Sequence, residues 1–556
     1  MAKSEAMKPE VFTRKASGLV RVMSPYSAFV YNILTMGLIF PWTYLWAPGA
    51  LPGGKLVWGI LLAMVIEIPI AYVYVWLSTA LPRSGGDYVF QSRVFGGGLA
   101  FTVVMSGFVI WILQWVALSG WLVSYLALAP LFLGLGATMQ NAMFSSWGLF
   151  FTTGNGIIIV SILNAALSMW LLTSGFKNYV KFQHVMWWAT LLCFATIFFV
   201  LFTTPASEFV TRLNAFAVAS GGVQNFYQTA VDAVKAAGID LNPPFSLLAT
   251  LLVAPIAWTS LQWATYSAQQ NGEIKDARSF KSQTFIMVGS LIATGLLLAL
   301  LAVGLERVAG SEFLYVAGAG YWSLIGEATI NGFYLWPPIV AVALTGSPLV
   351  VLFIGIGFLL NGFQIVCNCY IGMTRVLVAM SLDRLLPEWF SKVDEKRHTP
   401  FNAHLAYFLA SIPVILAYNK VTEPFSWYSL TLGVTFGCGY VFVVTCIAGA
   451  LLPYRAKELY ESSPGAQYKL GGYPMITVLG VLGGILGTLM VLAFLFAPQL
   501  GVLGNWNFTD FPKNVMAQVI AFGIILLSWV WYMLAKNAQK SKGINVDYAF
   551  KEIPPE

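Results

Sequence analysis

An all-α integral membrane protein of about twelve transmembrane helices is the fold class this sequence predicts, and three observations predict it. The 556 residues are 58% hydrophobic and only 10% charged, with a mean hydropathy of +0.75, a profile that excludes a soluble globular protein. Apolar stretches of spanning length, roughly 20 residues or more, recur along the chain. The charges lie between those stretches and are asymmetric. With the N-terminus inside, all but six of the 30 Lys and Arg fall on the inner side, the six being Lys55, Arg212, Lys235, Arg307, Lys420 and Lys513. That split places both termini inside. It also makes the net charge of +7 a topology signal rather than a sign of nucleic-acid binding.

The spans are expected near 24–46, 55–80, 96–127, 152–174, 182–204, 246–270, 284–303, 347–380, 402–418, 425–450, 475–497 and 515–535. Before them, residues 1–23 are polar and charged, with no short apolar region and cleavage site, so span 1 is expected to act as an uncleaved insertion signal. Spans 1–5 (24–204) and 6–10 (246–450) form two halves of opposite topology, because five is an odd number. Spans 11 and 12 (475–535) are then accessory, and 536–556 is an inner tail. The long connections, about 205–245 and 304–346, fall outside. All five cysteines (193, 367, 369, 438 and 446) lie within spans, so no disulfide framework is implied.

Two spans carry flaws. Span 1 is interrupted at Thr35-Met36-Gly37-Leu38-Ile39-Phe40-Pro41, and span 6 at Ala254-Pro255-Ile256-Ala257-Trp258. Backbone in hydrocarbon must satisfy its own hydrogen bonds, so an unwound stretch survives only where it lines a cavity or holds a ligand. Matched breaks at the start of each half are the pattern of a secondary transporter's binding site.

Three inner segments carry a family resemblance. Leu81-Pro82-Arg83-Ser84-Gly85-Gly86-Asp87-Tyr88-Val89-Phe90 resembles the P-x-S-G-G-x-Y signature of amino acid–polyamine–organocation (APC) transporters. Gly272-Glu273-Ile274-Lys275-Asp276-Ala277-Arg278 is similar to the family's E-x-K-N-P-x-R. The segment from Thr374-Arg375 through Ala379-Met380 and Asp383 to Leu386-Pro387-Glu388-Trp389-Phe390 resembles R-x-x-x-A-M-x-x-D-G-x-L-P-x-x-F, and Thr399-Pro400 follows in place. The resemblance covers roughly 15–535. It implies a leucine-transporter fold with inverted five-span repeats and a central substrate site between spans 1, 3, 6, 8 and 10. The chain departs from that pattern at Trp263 and Thr265, where many members have Gly and Glu. It also has Trp76 in place of an acidic residue late in span 2, and Thr190 aligns with a basic residue of span 5. The coupling ion, H+ or Na+, is therefore left open; no other cofactor is implied.

In span 1, the N–H groups of Met36, Gly37, Leu38 and Ile39, with the Thr35 hydroxyl, are expected to hold a substrate carboxylate at the positive end of the following half-helix. In span 6, Pro255 has no N–H, and carbonyls freed between Ala254, Ala257 and Trp258 would receive an ammonium group. Thr259, Ser260 and Gln262 add polar contacts there, and Trp258 is either a gate or plain packing. In span 8, Asn361, Gln364, Asn368 and Arg375 fall on one helix face. They line a permeation path or ion site, or else serve interhelical packing.

Glu67 is the carboxylate deepest within a span, followed by Pro69. Burial favours its neutral form, which makes it a candidate proton carrier, or else a cap for a broken helix. Arg83, Asp87, Glu273, Lys275, Arg375 and Asp383 are candidates for ion pairs closing a cytoplasmic gate, against the alternative of a solvated positive rim. His184 and His404 are expected near inner span ends, at the interface. Trp111, Trp115 and Tyr428 are expected to face lipid or pack.

The expectation is a secondary active transporter moving amino acids, expected neutral, across the plasma membrane by alternating access. Its partners are a small amino acid and the lipid bilayer, with no nucleic acid and the oligomeric state open. A polyamine or amine exchanger of the same fold and a non-transporting membrane sensor are the alternatives. No nucleophile–base set, metal-ligand spacing or nucleotide loop points to an enzyme.

Overall fold

The structure, a computed structural model, describes residues 18–38, 47–420, 427–500, 502–504, 506–510 and 515–551. Among them, strand is confined to two short hairpins, Thr329–Ile330 with Phe333–Tyr334 and Lys469–Leu470 with Tyr473–Pro474. Eleven helices are long and apolar enough to cross a membrane. They are spans 2 to 12: Leu56–Ala80, Gly97–Met139, Gly154–Thr173, Phe176–Thr203, Leu247–Glu273, Phe280–Trp322, Pro348–Leu382, Phe401–Tyr418, Phe436–Arg455, Met475–Phe496 and Met516–Lys540. Span 1 is a half-length helix, Pro25–Met36, and residues 39–46 of its expected range lie outside the described residues.

Local signals set the helix starts. Ser24 accepts from the Ser27 N–H at 3.0 Å and Pro25 takes the first turn of span 1, where its missing N–H costs nothing. Thr153 and Ser246 cap spans 4 and 6 in the same way. Some ends fall away from their expected positions. Span 3 runs on to Met139, and span 7 covers Phe280–Trp322 with a non-helical Gly310 (φ 79°) inside it. Residues 311–322, expected as loop, form a second helical stretch because Phe313 to Gly320 are buried. The connection 205–245 also carries two helices, Phe209–Ala219 and Phe226–Ala236.

Span 5 lies along span 8, span 2 packs between spans 6 and 11, and spans 10 and 11 run side by side. Spans 4, 5, 11 and 12 turn large apolar side chains outward, among them Trp170 (69% exposed), Trp188, Phe199 and Leu527. Such a surface belongs against lipid, not water. The described N-terminal segment and the C-terminal turn Val546–Lys551 meet one face of the bundle: the His398 ring bonds to the Gly18 carbonyl at 3.2 Å, and the Arg93 guanidinium lies 6.0 Å over the Phe550 ring. That face is called the terminal face below. All five cysteines are buried and unpaired.

Candidate functional site

Span 1 stops where glycine lets it stop. The Gly37 N–H donates to the Ile33 carbonyl at 3.1 Å, and Gly37 then turns away at φ 71°, ψ 105°, a conformation that favours glycine. This corrects one expectation: the Gly37 N–H is taken by the helix end and is not a free donor for a carboxylate. Thr35 is likewise engaged, donating to the Tyr31 carbonyl at 2.6 Å. Leu38 is buried, and Ile39 lies outside the described residues.

Span 6 departs from its expected break. The α-helix runs unbroken from Leu247 to Leu261 through Pro255, so Ala254, Ala257 and Trp258 sit in regular helix and their carbonyls are not freed by unwinding. A proline removes one hydrogen bond but need not end a helix whose neighbours pack around it. The departure comes one turn later. Residues Gln262–Glu273 form a 3-10 segment with a non-helical Gln270. The Thr259 carbonyl at its start is taken by the Trp263 indole at 2.9 Å.

The two helix ends touch. The Ser260 hydroxyl donates to the Met36 carbonyl at 2.7 Å, so the C-terminal ends of two antiparallel half-helices meet at one depth. Both present the negative end of a helix dipole, which suits a cationic group. Asn32 holds this arrangement and was not singled out in the sequence. Its amide donates to Ser267 Oγ at 3.0 Å and to the Ile286 carbonyl at 3.2 Å, and its oxygen accepts the Ser267 N–H at 2.9 Å. Asn32→Ala would strand a buried N–H and a buried carbonyl. We expect it to cost about 2–3 kcal/mol, read as a lower midpoint of thermal unfolding in detergent; an unchanged midpoint would remove Asn32 from the framework of the site.

The span 8 stripe faces the same place. Asn368 donates to Thr35 Oγ1 at 2.6 Å and accepts from Gln364 at 2.9 Å and from the Tyr179 hydroxyl at 2.6 Å. Asn361 reaches the Leu34 carbonyl at 3.5 Å. From span 5, Gln183 donates to the Ser27 carbonyl at 2.8 Å and accepts from Tyr179 at 3.0 Å. Thr190, aligned with the family's basic position, bonds to its own helix, at the Met186 carbonyl. The polar stripe therefore ties spans 5 and 8 to the end of span 1. Three buried acceptors in this region have no partner: Gln262 Oε1, Asn361 Oδ1 and Gln364 Oε1. They are open to a ligand's donors.

Glu67 of span 2 is fully buried. Its Oε2 accepts the Trp258 indole N–H at 2.6 Å, and Oε1 has no partner. Trp258 is therefore anchored to span 2 rather than free to swing. Below it, Trp263 stands among Phe108, Trp115 and Phe442, each ring 5.9 Å away. Trp111 and Trp115 are buried at 3% and 5% exposure, so both pack and neither faces lipid. The Tyr428 side chain lies outside those described.

At the terminal face the candidate gate residues sort into two kinds. Arg375 and Glu273 form a buried bidentate pair, Nε to Oε2 at 2.7 Å and NH2 to Oε1 at 2.9 Å, with the guanidinium 5.0 Å above the Phe176 ring. Asp383 pairs with Arg93 at 2.9 Å. His404, expected at the interface, is instead wholly buried and 3.2 Å from Arg375; an arginine held in the interior gathers polar partners around it. His184 is half-buried, near Ser27 Oγ at 3.1 Å. Lys275 is exposed and joins no ion pair among the described residues, while Arg83 reaches the Pro82 carbonyl.

Asp87 is the exception to the ion-pair expectation. It is buried, and no cation bonds to it among the described residues. Beside it the N-terminal segment meets span 6 through backbone hydrogen bonds: Val22 and Met23 N–H groups donate to the Glu273 carbonyl at 2.9 and 3.0 Å, and the Lys275 N–H to the Met23 carbonyl at 2.8 Å.

A family model described as amino acid permease matches residues 26–525. The branched-chain amino acid permease BcaP of Lactococcus lactis subsp. cremoris is 24% identical over 452 residues, 78% of this chain and 81% of that protein. Uncharacterized protein 399 of Sulfolobus islandicus rod-shaped virus 1 is 32% identical over 102 residues. That second match covers 17% of this chain and only 26% of the viral protein.

Proposed function

The chain belongs to the amino acid permease family, and from that premise we propose that it carries neutral, apolar amino acids across the plasma membrane by alternating access. Membership makes it a multi-pass membrane transporter of small amino acid substrates. The substrate class rests on the junction of spans 1, 6 and 8. There, two helix C-termini and the free acceptors of Gln262, Asn361 and Gln364 suit one ammonium group. Trp263, Phe108, Trp115 and Phe442 offer an apolar wall for the side chain. A second cationic group would need its own carboxylate, and Glu67, the carboxylate within span 2, is already bonded to Trp258. That favours an amino acid over a polyamine. The printed name of the Lactococcus relative, a branched-chain amino acid permease, points the same way.

The terminal face is assigned to the cytoplasm, following the Lys and Arg asymmetry. Closure of this face by the Arg375–Glu273 pair and the N-terminal bridge then corresponds to a shut inner gate. For coupling, the proton is favoured over sodium. Among the described residues no cation bonds to Glu67, and its unpartnered Oε1 is free to carry a proton.

The test is counterflow. Proteoliposomes loaded with unlabelled leucine should accumulate labelled leucine saturably, and putrescine should not compete. Binding without accumulation would identify a sensor instead. Under an inward proton gradient, net leucine uptake should rise several-fold in the natural protein and lose that dependence in Glu67→Gln. Uptake indifferent to the gradient would remove the proton from the scheme.

A further inference from the structure

Among the described residues the side-chain donors to the Asp87 carboxyl are all neutral, and they come from three different spans. The Tyr74 hydroxyl of span 2 donates to Oδ1. Thr445 of span 10 donates to the same oxygen at 2.5 Å, itself supported by Gln91 at 2.9 Å. Gln269, in the 3-10 segment of span 6, donates through Nε2 to Oδ2 at 2.5 Å. Asp87 sits in the first turn of the helix Gly86–Phe95, which links spans 2 and 3. Glycine makes the contact possible: a Cβ on Gly86 (φ 35°) would lie 2.6 Å from Gln269 Oε1.

We propose that Asp87 is a proton-binding site that locks the inner gate, protonated when the gate is shut and ionised when it opens. The second observation behind it is the Gln269 amide. Its Oε1 is buried and has no partner, so a half-turn of that amide exchanges donor for acceptor without moving the backbone. In the ionised state Nε2 donates to Oδ2. In the protonated state the Asp87 Oδ2–H donates to Oε1, while Tyr74 and Thr445 continue to donate to Oδ1. In both states each Asp87 oxygen is bonded, and the Gln269 atom turned away from it has no partner in either. One proton from the cytoplasmic solution bonds to Oδ2 as the gate closes and returns as it opens; no other bond changes.

The surroundings leave the site to the proton. Facing ionisable groups are Tyr74 from span 2 and Cys438 and Cys446 from span 10. Arg93 on the same helix is committed to Asp383 of span 8, and Arg375 and Glu273 are committed to each other. From the C-terminal turn, Asp547 pairs with Lys536, and Lys551 lies over Tyr548. Burial pushes the Asp87 carboxyl up to about 6, against the hydrogen bonds from Thr445, Tyr74 and Gln269 that favour the ion. An open, hydrated gate would return it to about 3.9. A value raised in the shut state means that shutting takes up a proton. The resulting stabilisation of the shut state is complete below about 3.9 and is lost as pH rises through about 6. Between about pH 8 and about pH 5, the ratio of shut to open gate should therefore rise about tenfold.

The inference rests on the alternating-access reading, because it needs an inner gate that opens, but its measurement needs no substrate. Hydrogen exchange of the peptide 262–275 is followed in the purified protein from about pH 8 to about pH 5, after correction for the intrinsic exchange rate. Protection should rise about tenfold toward acid. Asp87→Asn reproduces the bonding of the protonated form, with Oδ1 accepting and Nδ2 donating to Gln269. It should hold the high, acid level of protection at every pH. Tyr74→Phe removes a donor to the ion and should move the midpoint to higher pH, which keeps the test open should the asparagine variant fail to fold. Flat protection in the natural protein, an asparagine variant that titrates, or an unmoved midpoint in Tyr74→Phe would each overturn the proposal. Leucine counterflow on the same preparations separates the two readings. Its absence alongside the pH-dependent protection counts against the substrate and not against the lock.

Discussion

Arg375→Ala is expected to destabilise the protein by about 3–5 kcal/mol. The guanidinium and the Glu273 carboxylate are each only 1% exposed, so removing one leaves an uncompensated charge in the interior. The arginine also loses its stacking on Phe176 and its contact with His404. In detergent this should appear as a large fall in the unfolding midpoint. The double variant Arg375→Met with Glu273→Leu removes both charges together and should recover most of the loss, because a buried pair contributes little net stability over apolar side chains of similar volume. The pair also joins the end of span 6 at the terminal face to span 8, so the double variant should be folded yet leaky at the proposed gate. Raised hydrogen exchange in 262–275, with near-natural stability, would display that separation. A single variant as stable as the natural protein would show that the charges are hydrated and that the gate is open.

Gly37→Val is expected to weaken leucine binding by about 5- to 150-fold without preventing membrane insertion. The φ of 71° and ψ of 105° at Gly37 are poorly accessible to a β-branched residue, and forcing them costs about 1–3 kcal/mol. The chain relieves that strain by rotating away from the turn, which moves the Met36 carbonyl off Ser260 and disperses the helix ends. Insertion is unaffected because valine is more apolar than glycine. The rise in unfolding midpoint that leucine gives the natural protein should shrink or vanish in the variant. An undiminished rise would show that the span 1 turn is not part of the substrate site.

The membrane class and most spans are legible in the sequence because hydropathy and charge asymmetry are properties of whole segments, insensitive to single contacts. The span 8 stripe is legible for a related reason: helical periodicity alone places Asn361, Gln364 and Asn368 on one face. The span 6 break is not. Pro255 is the stronger local signal, yet the helix carries it, and the unwinding falls on Gln262–Glu273, where the run of Gln, Ser, Thr and Asn was the better clue. Asn32 and Gln183 escaped because a single polar residue in an apolar span has no period to betray it. Its partner lies in another span, at separations of 235 and 156 residues. The three signatures carry Glu273, Arg375 and Asp383 but neither the pairing nor Arg93, the partner of Asp383. Asp87 was grouped with the ion pairs on composition, and only the packing around it leaves it without a cation.

The bonds of Asn32 to Ser267, and of Met23 to Glu273 and Lys275, also set a timetable for the chain's birth. The first helix to leave the ribosome finds its partners only after 235 further residues have been made. At elongation rates of about 5–20 residues per second, that is a wait of about 10–50 s. Through that interval the first helix carries an amide with no native partner in reach, beside lipid or the insertion machinery. The region that closes the finished transporter thus cannot assemble until about half of the chain has been made, and a chain stalled before residue 267 would hold five spans with the first helix still unclasped.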